Sequence, residues 1–321
     1  MKKIKQFKKN NLFSFFSLYS SIHINKKTKD YYQKWLTYLG FLDNEKNLRK
    51  IKKFKEDAWE ISQKYPIFTV ADGVTLRGKG KEYYPIPSPV LRVAKIFCQE
   101  AIKFSEKNYQ NFSLKKIKKV FEFTNRKIKD FNKKRGITKK RKDFNYWDVD
   151  FYNCTAAFIL IKDKRLYWGK INTPAIFVYD QKGNLKFQSP PGSFFKRPGP
   201  WDKKMILFQQ ETPERETQIR RIYRNKLDKK NKPYGWDGAL TGEKEALYYL
   251  NSGVINLTKG DIVFLFTDGF KNYFDLEEFK KALSNWKNLE KTIKKLSKIL
   301  PQSNPSKFGR ERTLLAIKIN K

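Results

Sequence analysis

At 321 residues, 39% of them hydrophobic and 16% aromatic, the chain carries enough apolar material for a packed core, which excludes a disordered polymer. Two distant cysteines, Cys98 and Cys154, and a single histidine, His23, exclude a disulfide scaffold and a zinc knuckle and argue against a histidine-based nucleophile system. Lys and Arg total 70 against 32 Asp and Glu, a net charge of +38, and no stretch reaches the ~18–20 apolar residues needed to span a bilayer.

The N-terminus opens on Lys2, Lys3, Lys5, Lys8 and Lys9, then a weakly apolar run over 12–24 that serines, Tyr19 and His23 interrupt. No small-residue cleavage site follows, so a cytoplasmic location is expected rather than export. Residues 1–49 read as a basic extension with one helix over 30–39, ended by Gly40, and residues 50–321 as one domain. Two strands, 57–61 and 67–72, flank the four-residue turn 63–66. A helix over 89–105 opens on Ser88 and Pro89, both start signals. Another runs from Ser113 to Gly136, with Ile117, Val120, Phe121, Ile128 and Phe131 on one stripe. The basic, aromatic stretch 140–147 leads into strands at 151–161, 165–170, 175–179, 185–188 and 205–209. A polar flap over 212–236 precedes a strand at 262–267, helices at 276–285 and 289–300, and a closing strand at 312–319. Strands in the middle with helices grouped around them predict α+β packing.

The acids carry the chemistry. Antiparallel pairing around the first turn sets Ile61 opposite Phe68, Trp59 opposite Val70 and Asp57 opposite Asp72, all on one face. The four apolar members mark that face as the core side, so two acids meet at the open end of the hairpin. Like charges across a ladder repel unless neutralised, and a hard cation with oxygen ligands would do so. Gly73 follows Asp72 and frees the chain to turn, exposing its carbonyl as a further ligand. A second Asp-Gly pair, Asp268-Gly269, ends the apolar strand 262–267, and alternation places Asp268 with Phe266, Phe264 and Ile262. One Asp-Gly pair alone is an ordinary turn; two at the tips of apolar strands point to a metal.

Set in order, these segments resemble the metal-dependent protein phosphatase 2C family. Lys55-Glu56-Asp57-Ala58 is similar to its Asn-Glu-Asp-Ala element and Val70-Ala71-Asp72-Gly73 to its Val-x-Asp-Gly. Asn153-Cys154-Thr155-Ala156-Ala157 is similar to its Gly-Thr-Thr-Ala strand, Thr267-Asp268-Gly269 to its Ser/Thr-Asp-Gly, and Arg312-Thr313-Leu314 to its closing strand. The resemblance implies a central sandwich of two mostly antiparallel sheets flanked by helices, a four-layer αββα fold. It also implies two Mn2+ or Mg2+ ions in a cleft at one end. Asp72 would bridge them, Glu56 and the Gly73 carbonyl completing one shell, Asp268 and Glu311 the other. Asp57 would orient the attacking water and Lys52 hold the phosphate of a phosphorylated protein substrate.

Departures qualify that picture. The acid of the family's Gly-Asp-Ser-Arg falls on Thr173, its last metal-binding Asp on Arg310 with Glu311 next, and another Asp on Asn272. Lys52 replaces an Arg, keeping charge and losing the bidentate fork. The expected activity is phosphoserine or phosphothreonine hydrolysis. The alternatives are a catalytically weak relative that binds phosphorylated partners and, from another class, a basic nucleic-acid binder. The lysines, scattered along the chain, read chiefly as a solvated surface with weak polyanion association.

Overall fold

The computed structural model describes residues 12–22, 24–76, 83–137, 150–191, 220, 223–234 and 238–320. The strand predicted at 205–209, the stretch 140–147 and most of the flap over 212–236 lie outside the described residues.

Two five-stranded antiparallel sheets stack face to face. The first has the order β1 (Phe13–Ser20), β10 (Arg312–Ile319), β9 (Ile262–Phe266), β6 (Ala175–Tyr179) and β7 (Leu185–Gln188). The second has the order β2 (Ala58–Ile61), β3 (Ile67–Gly73), β4 (Cys154–Lys162), β5 (Arg165–Ile171) and β8 (Leu250–Asn256).

Strict alternation makes each sheet two-faced. Phe68 and Val70 of β3 meet Val263 and Leu265 of β9 and Leu315 and Ile317 of β10 between the sheets. The opposite face of the second sheet, with Ile67, Phe158 and Leu160, packs on α3 (Pro89–Lys107) and α4 (Leu114–Lys134). The opposite face of the first, with Phe264, Phe266 and Leu314, packs on α5 (Glu277–Leu283) and α6 (Trp286–Ser303). The αββα layering inferred from the sequence is the one observed. The hairpin register is also as read, Ile61 opposite Phe68 and Trp59 opposite Val70. A helix α1 (Lys29–Tyr38), a short α2 (Glu45–Ile51) and Tyr84 form a satellite cluster beside one end of the sandwich.

Three elements carried no clear signal. β1 pairs residue for residue with β10, Phe13 with Ile319 through Ser20 with Arg312. It is an edge strand, half-buried along nearly its whole length, so serines interrupt its pattern. β8, the other half-exposed edge, contains Gly253, where a Cβ would lie 2.9 Å from the Trp168 ring. α2 starts where the Asn44 side chain accepts from the Asn47 N–H at 2.8 Å. Among the described residues no helix is long and apolar enough to cross a membrane.

Candidate functional site

The open end of the β2–β3 hairpin, the 3₁₀ turn Asp268–Tyr273 after β9, the start of β10 and one face of α1, with Tyr31, Lys34 and Trp35, enclose a cleft of about 540 Å³. Glu56, Asp57, Asp72, Asp268, Arg310 and Glu311 all line it.

Glu56 is buried, and its carboxylate accepts from Thr75 Oγ1 at 2.7 Å, Ser88 Oγ at 2.6 Å and the Tyr84 hydroxyl. Burial lifts its pKa to about 7, against the pull of those hydrogen bonds. Burial lifts Asp57 to about 7 as well, although Asp57 Oδ2 accepts from Thr267 Oγ1 at 2.7 Å. That hydroxyl is oriented in turn, since it accepts from the Thr313 N–H at 2.9 Å. Asp72 is half-buried, and among the described residues nothing donates to it. Loss of solvent, then the charges of Asp268 and Asp57, push its pKa well up.

Asp268 and Glu311 sit differently. Arg310 Nη1 donates to Asp268 Oδ2 at 2.9 Å. Glu311 turns its carboxylate to the main chain, Oε2 accepting from the Glu56 N–H at 2.7 Å and Oε1 from the Asp57 N–H at 3.2 Å. The Tyr19 hydroxyl of β1 hydrogen-bonds it too, so the N-terminal strand reaches the site. The β10 register is regular from Leu314 opposite Phe266 to Lys318 opposite Ile262, and Glu311, just ahead of that stretch, lines the cleft.

Asp268 arrives by another route than alternation. Ile262, Phe264 and Phe266 face the helices, whereas the hairpin acids extend the inter-sheet face. β9 ends at Phe266, and the bend into the 3₁₀ turn at Asp268 carries that carboxylate into the cleft. The two Asp-Gly glycines serve close approach. A Cβ on Gly73 would lie 2.9 Å from the Glu56 carbonyl oxygen, and one on Gly269 would lie 2.1 Å from that of Glu311. Lys52 is exposed at the C-cap of α2 and does not line the cleft. Arg310 does. Thr173 hydrogen-bonds Thr155 at 2.9 Å, Thr155 being the residue paired with Asp72. Asn272 points away, donating to the Lys307 carbonyl at 2.8 Å.

Thr267 adjoins the Asp-Gly pair and was within reach of sequence reasoning. Thr75, Tyr84, Ser88 and Tyr19 had no local signal, since each acts across a fold contact.

Among the described residues no three Asp, Glu, His or Cys side chains stand close enough together to hold an ion as placed. The donor chemistry nonetheless suits a hard divalent cation. Asp72 is an acid without a donor among acids that raise its pKa, beside the Gly73 main chain.

The chain resembles solved phosphatase structures over nearly its whole length. The Mycobacterium tuberculosis serine/threonine phosphatase PstP/Ppp aligns with a TM-score of 0.55 at 12% identity, covering 97% of this chain and 100% of that one. The PstP catalytic domain in complex with 2 manganese ions aligns at 0.54 and 12% identity, covering 97% and 99%. PppA, a key regulatory component of T6SS in Pseudomonas aeruginosa, aligns at 0.55 and 12% identity, covering 96% and 98%. At such identities the likeness is one of fold. No curated protein matches the chain in sequence. The family model for protein phosphatase 2C matches residues 49–304, from the end of α2 to the end of α6, and the chain belongs to that family.

Proposed function

We propose that this protein hydrolyses phosphoserine and phosphothreonine esters of proteins in a reaction that requires Mn2+ or Mg2+. The observation that carries the reading is Asp72, an acid with no donor among the described residues, in one cleft with Asp57 and Asp268. Asp72 and the Gly73 carbonyl would hold a divalent ion. When bound, such an ion lowers the pKa of a water and offsets charge on the phosphoryl oxygens.

The remaining roles belong to the chain. Three hydroxyls fix Glu56 as the rigid wall of the cleft. Thr267, with Thr313 beside it, holds the Asp57 carboxylate, which would orient a water and take its proton. A pKa of about 7 suits that exchange near neutrality. Water oxygen bonds to phosphorus, the ester P–O bond breaks, and the departing serine or threonine oxygen takes up a proton. The buried, unpaired Cys98 and Cys154 suit a reducing compartment, and we place the protein in the cytoplasm.

Turnover of p-nitrophenyl phosphate and of a phosphopeptide, with and without Mn2+, tests the reading. Activity that is absent in both conditions, or unchanged in Asp72→Ala, defeats it. The Asp268–Arg310 ion pair favours a second reading, a phosphatase fold that binds phosphorylated partners with little hydrolysis. Phosphopeptide binding without turnover would select it.

A further inference from the structure

The inference rests on the metal-dependent reading above. We propose that the Arg310 guanidinium takes the place of a second cation, so that the cleft accepts one divalent ion and the chain supplies the other positive charge to the substrate phosphoryl group.

Arg310 stands among the acids, lining the cleft with Asp57, Asp72 and Asp268. Its Nη1 is 2.9 Å from Asp268 Oδ2, and its charge also acts on Asp72. An exposed ion pair alone would mean little. Here the backbone beneath it is pinned from two sides. The buried Tyr32 donates its hydroxyl to the Gly309 carbonyl at 2.7 Å, and the buried Arg312 donates from Nη1 to the Arg310 carbonyl at 2.8 Å. The guanidinium therefore projects from a fixed point, with its side chain 67% exposed at the mouth of the cleft.

The acids that a second ion would need are engaged. Asp268 is paired to Arg310, and both oxygens of Glu311 accept from main-chain N–H groups. A divalent ion beside Asp268 would also sit against the like charge of Arg310. Among the described residues the Nε and Nη2 donors of Arg310 have no partner. A planar guanidinium offers phosphoryl oxygens two parallel hydrogen bonds, so these donors fit the oxygens of a phosphate entering from solvent. Lys52, outside the cleft, has no such position.

Calorimetric titration of Mn2+ into the full chain reads the stoichiometry directly, without turnover. One ion per wild-type chain and two per Arg310→Asp chain are expected, because that change removes the fixed cation and adds a carboxylate beside Asp268. Arg310→Lys keeps a cation and should still take one ion. Circular dichroism of each variant, matched to wild type, shows that folding is retained at this exposed position. Two ions on the wild-type chain would overturn the inference and leave metal-dependent hydrolysis standing. One ion on both wild type and Arg310→Asp would also overturn it. No ion on any of the three would sink the metal-dependent reading itself.

Discussion

On the β2–β3 side of the cleft Asp72 meets no donor among the described residues, and Glu56 and Asp57 are raised to about 7 by burial. On the β9–β10 side each acid has donors of its own, Arg310 for Asp268 and two main-chain amides plus Tyr19 for Glu311, although burial and the charge of Asp57 still push the Glu311 pKa well up. The first side holds like charges that repel at close range and is least comfortable without a cation. The second meets more of its charge with donors of its own. The proposed chemistry draws on the side with more uncompensated charge, while Glu311 of β10 ties the first sheet to residues 56 and 57 ahead of the second.

Asp72→Ala should break the comparison most severely, lowering Mn2+-dependent kcat/KM by about a thousandfold or more, equivalent to roughly 4 kcal/mol of barrier. The milder Asp72→Asn should lose activity comparably yet raise the Tm of metal-free protein, since it removes one repelling charge. A metal-free Tm that falls would mean that Asp72 has a compensating partner, and the asymmetry between the two sides would vanish. Glu311→Ala attacks the other side. Two main-chain N–H groups lose their acceptor, so folding stability should drop by roughly 3 kcal/mol in metal-free protein. Urea unfolding would show it, and a loss no larger than an average surface substitution would mean those bonds contribute little.

How much of this was legible follows the range of the interactions. The β2–β3 hairpin was readable because a short turn fixes register and a period of two fixes the face, so Asp57 and Asp72 could be set together from sequence alone. Asp268 was found but by a mistaken path, because alternation cannot anticipate the chain leaving β9 for a 3₁₀ turn. β1 was missed because its partner strand begins almost three hundred residues later at Arg312 and its own pattern is that of a half-buried edge. Arg310 was visible only as a departure from a resemblance. Nothing local to Glu311 could reveal partners that are backbone N–H groups of residues 56 and 57.

The pH dependence sharpens the contrast. Glu56 has a folded pKa of about 7 against an ordinary 4.5, and Asp57 about 7 against 3.8. Between those values the unfolded chain has released protons that the folded chain keeps, so rising pH weakens folding, by up to ~1.4 kcal/mol per pH unit per group. The weakening is complete above about pH 7. Lys170 acts in the next window. It is buried between the sheets, donating to the Pro190 carbonyl at 2.8 Å, and burial lowers its pKa from 10.5 to about 7. From pH 7 upward the unfolded chain holds the lysine proton that the folded chain has lost, so folding regains stability. Asp72 and Glu311, whose carboxyls burial and like charges push further up, extend the fall past pH 7, so metal-free protein should be weakest at or above neutrality. Saturating Mn2+ should flatten the acidic limb, and Lys170→Met should remove the alkaline recovery. Thermal melts in EDTA that rise between pH 5 and 7 would contradict the carboxyl assignments, and an alkaline limb unchanged in Lys170→Met would contradict that of the lysine.

The smallest expected effect belongs to Lys52→Ala, with kcat/KM on a phosphopeptide changing by less than about twofold. Lys52 is exposed at the end of α2, and the cleft lining runs from Phe54 to Glu56 without including it. A flexible, solvated ammonium there contributes only a screened field at the acids, since separated surface charges are damped over a Debye length of about 8 Å. Arg310, paired to Asp268 at the mouth of the cleft, should dominate phosphate capture. The two substitutions made side by side therefore rank the cations: Arg310→Ala should raise KM clearly, and Lys52→Ala should leave it nearly unchanged. A tenfold rise for Lys52→Ala at physiological salt would shift phosphate binding towards α2 and away from the mouth at Arg310.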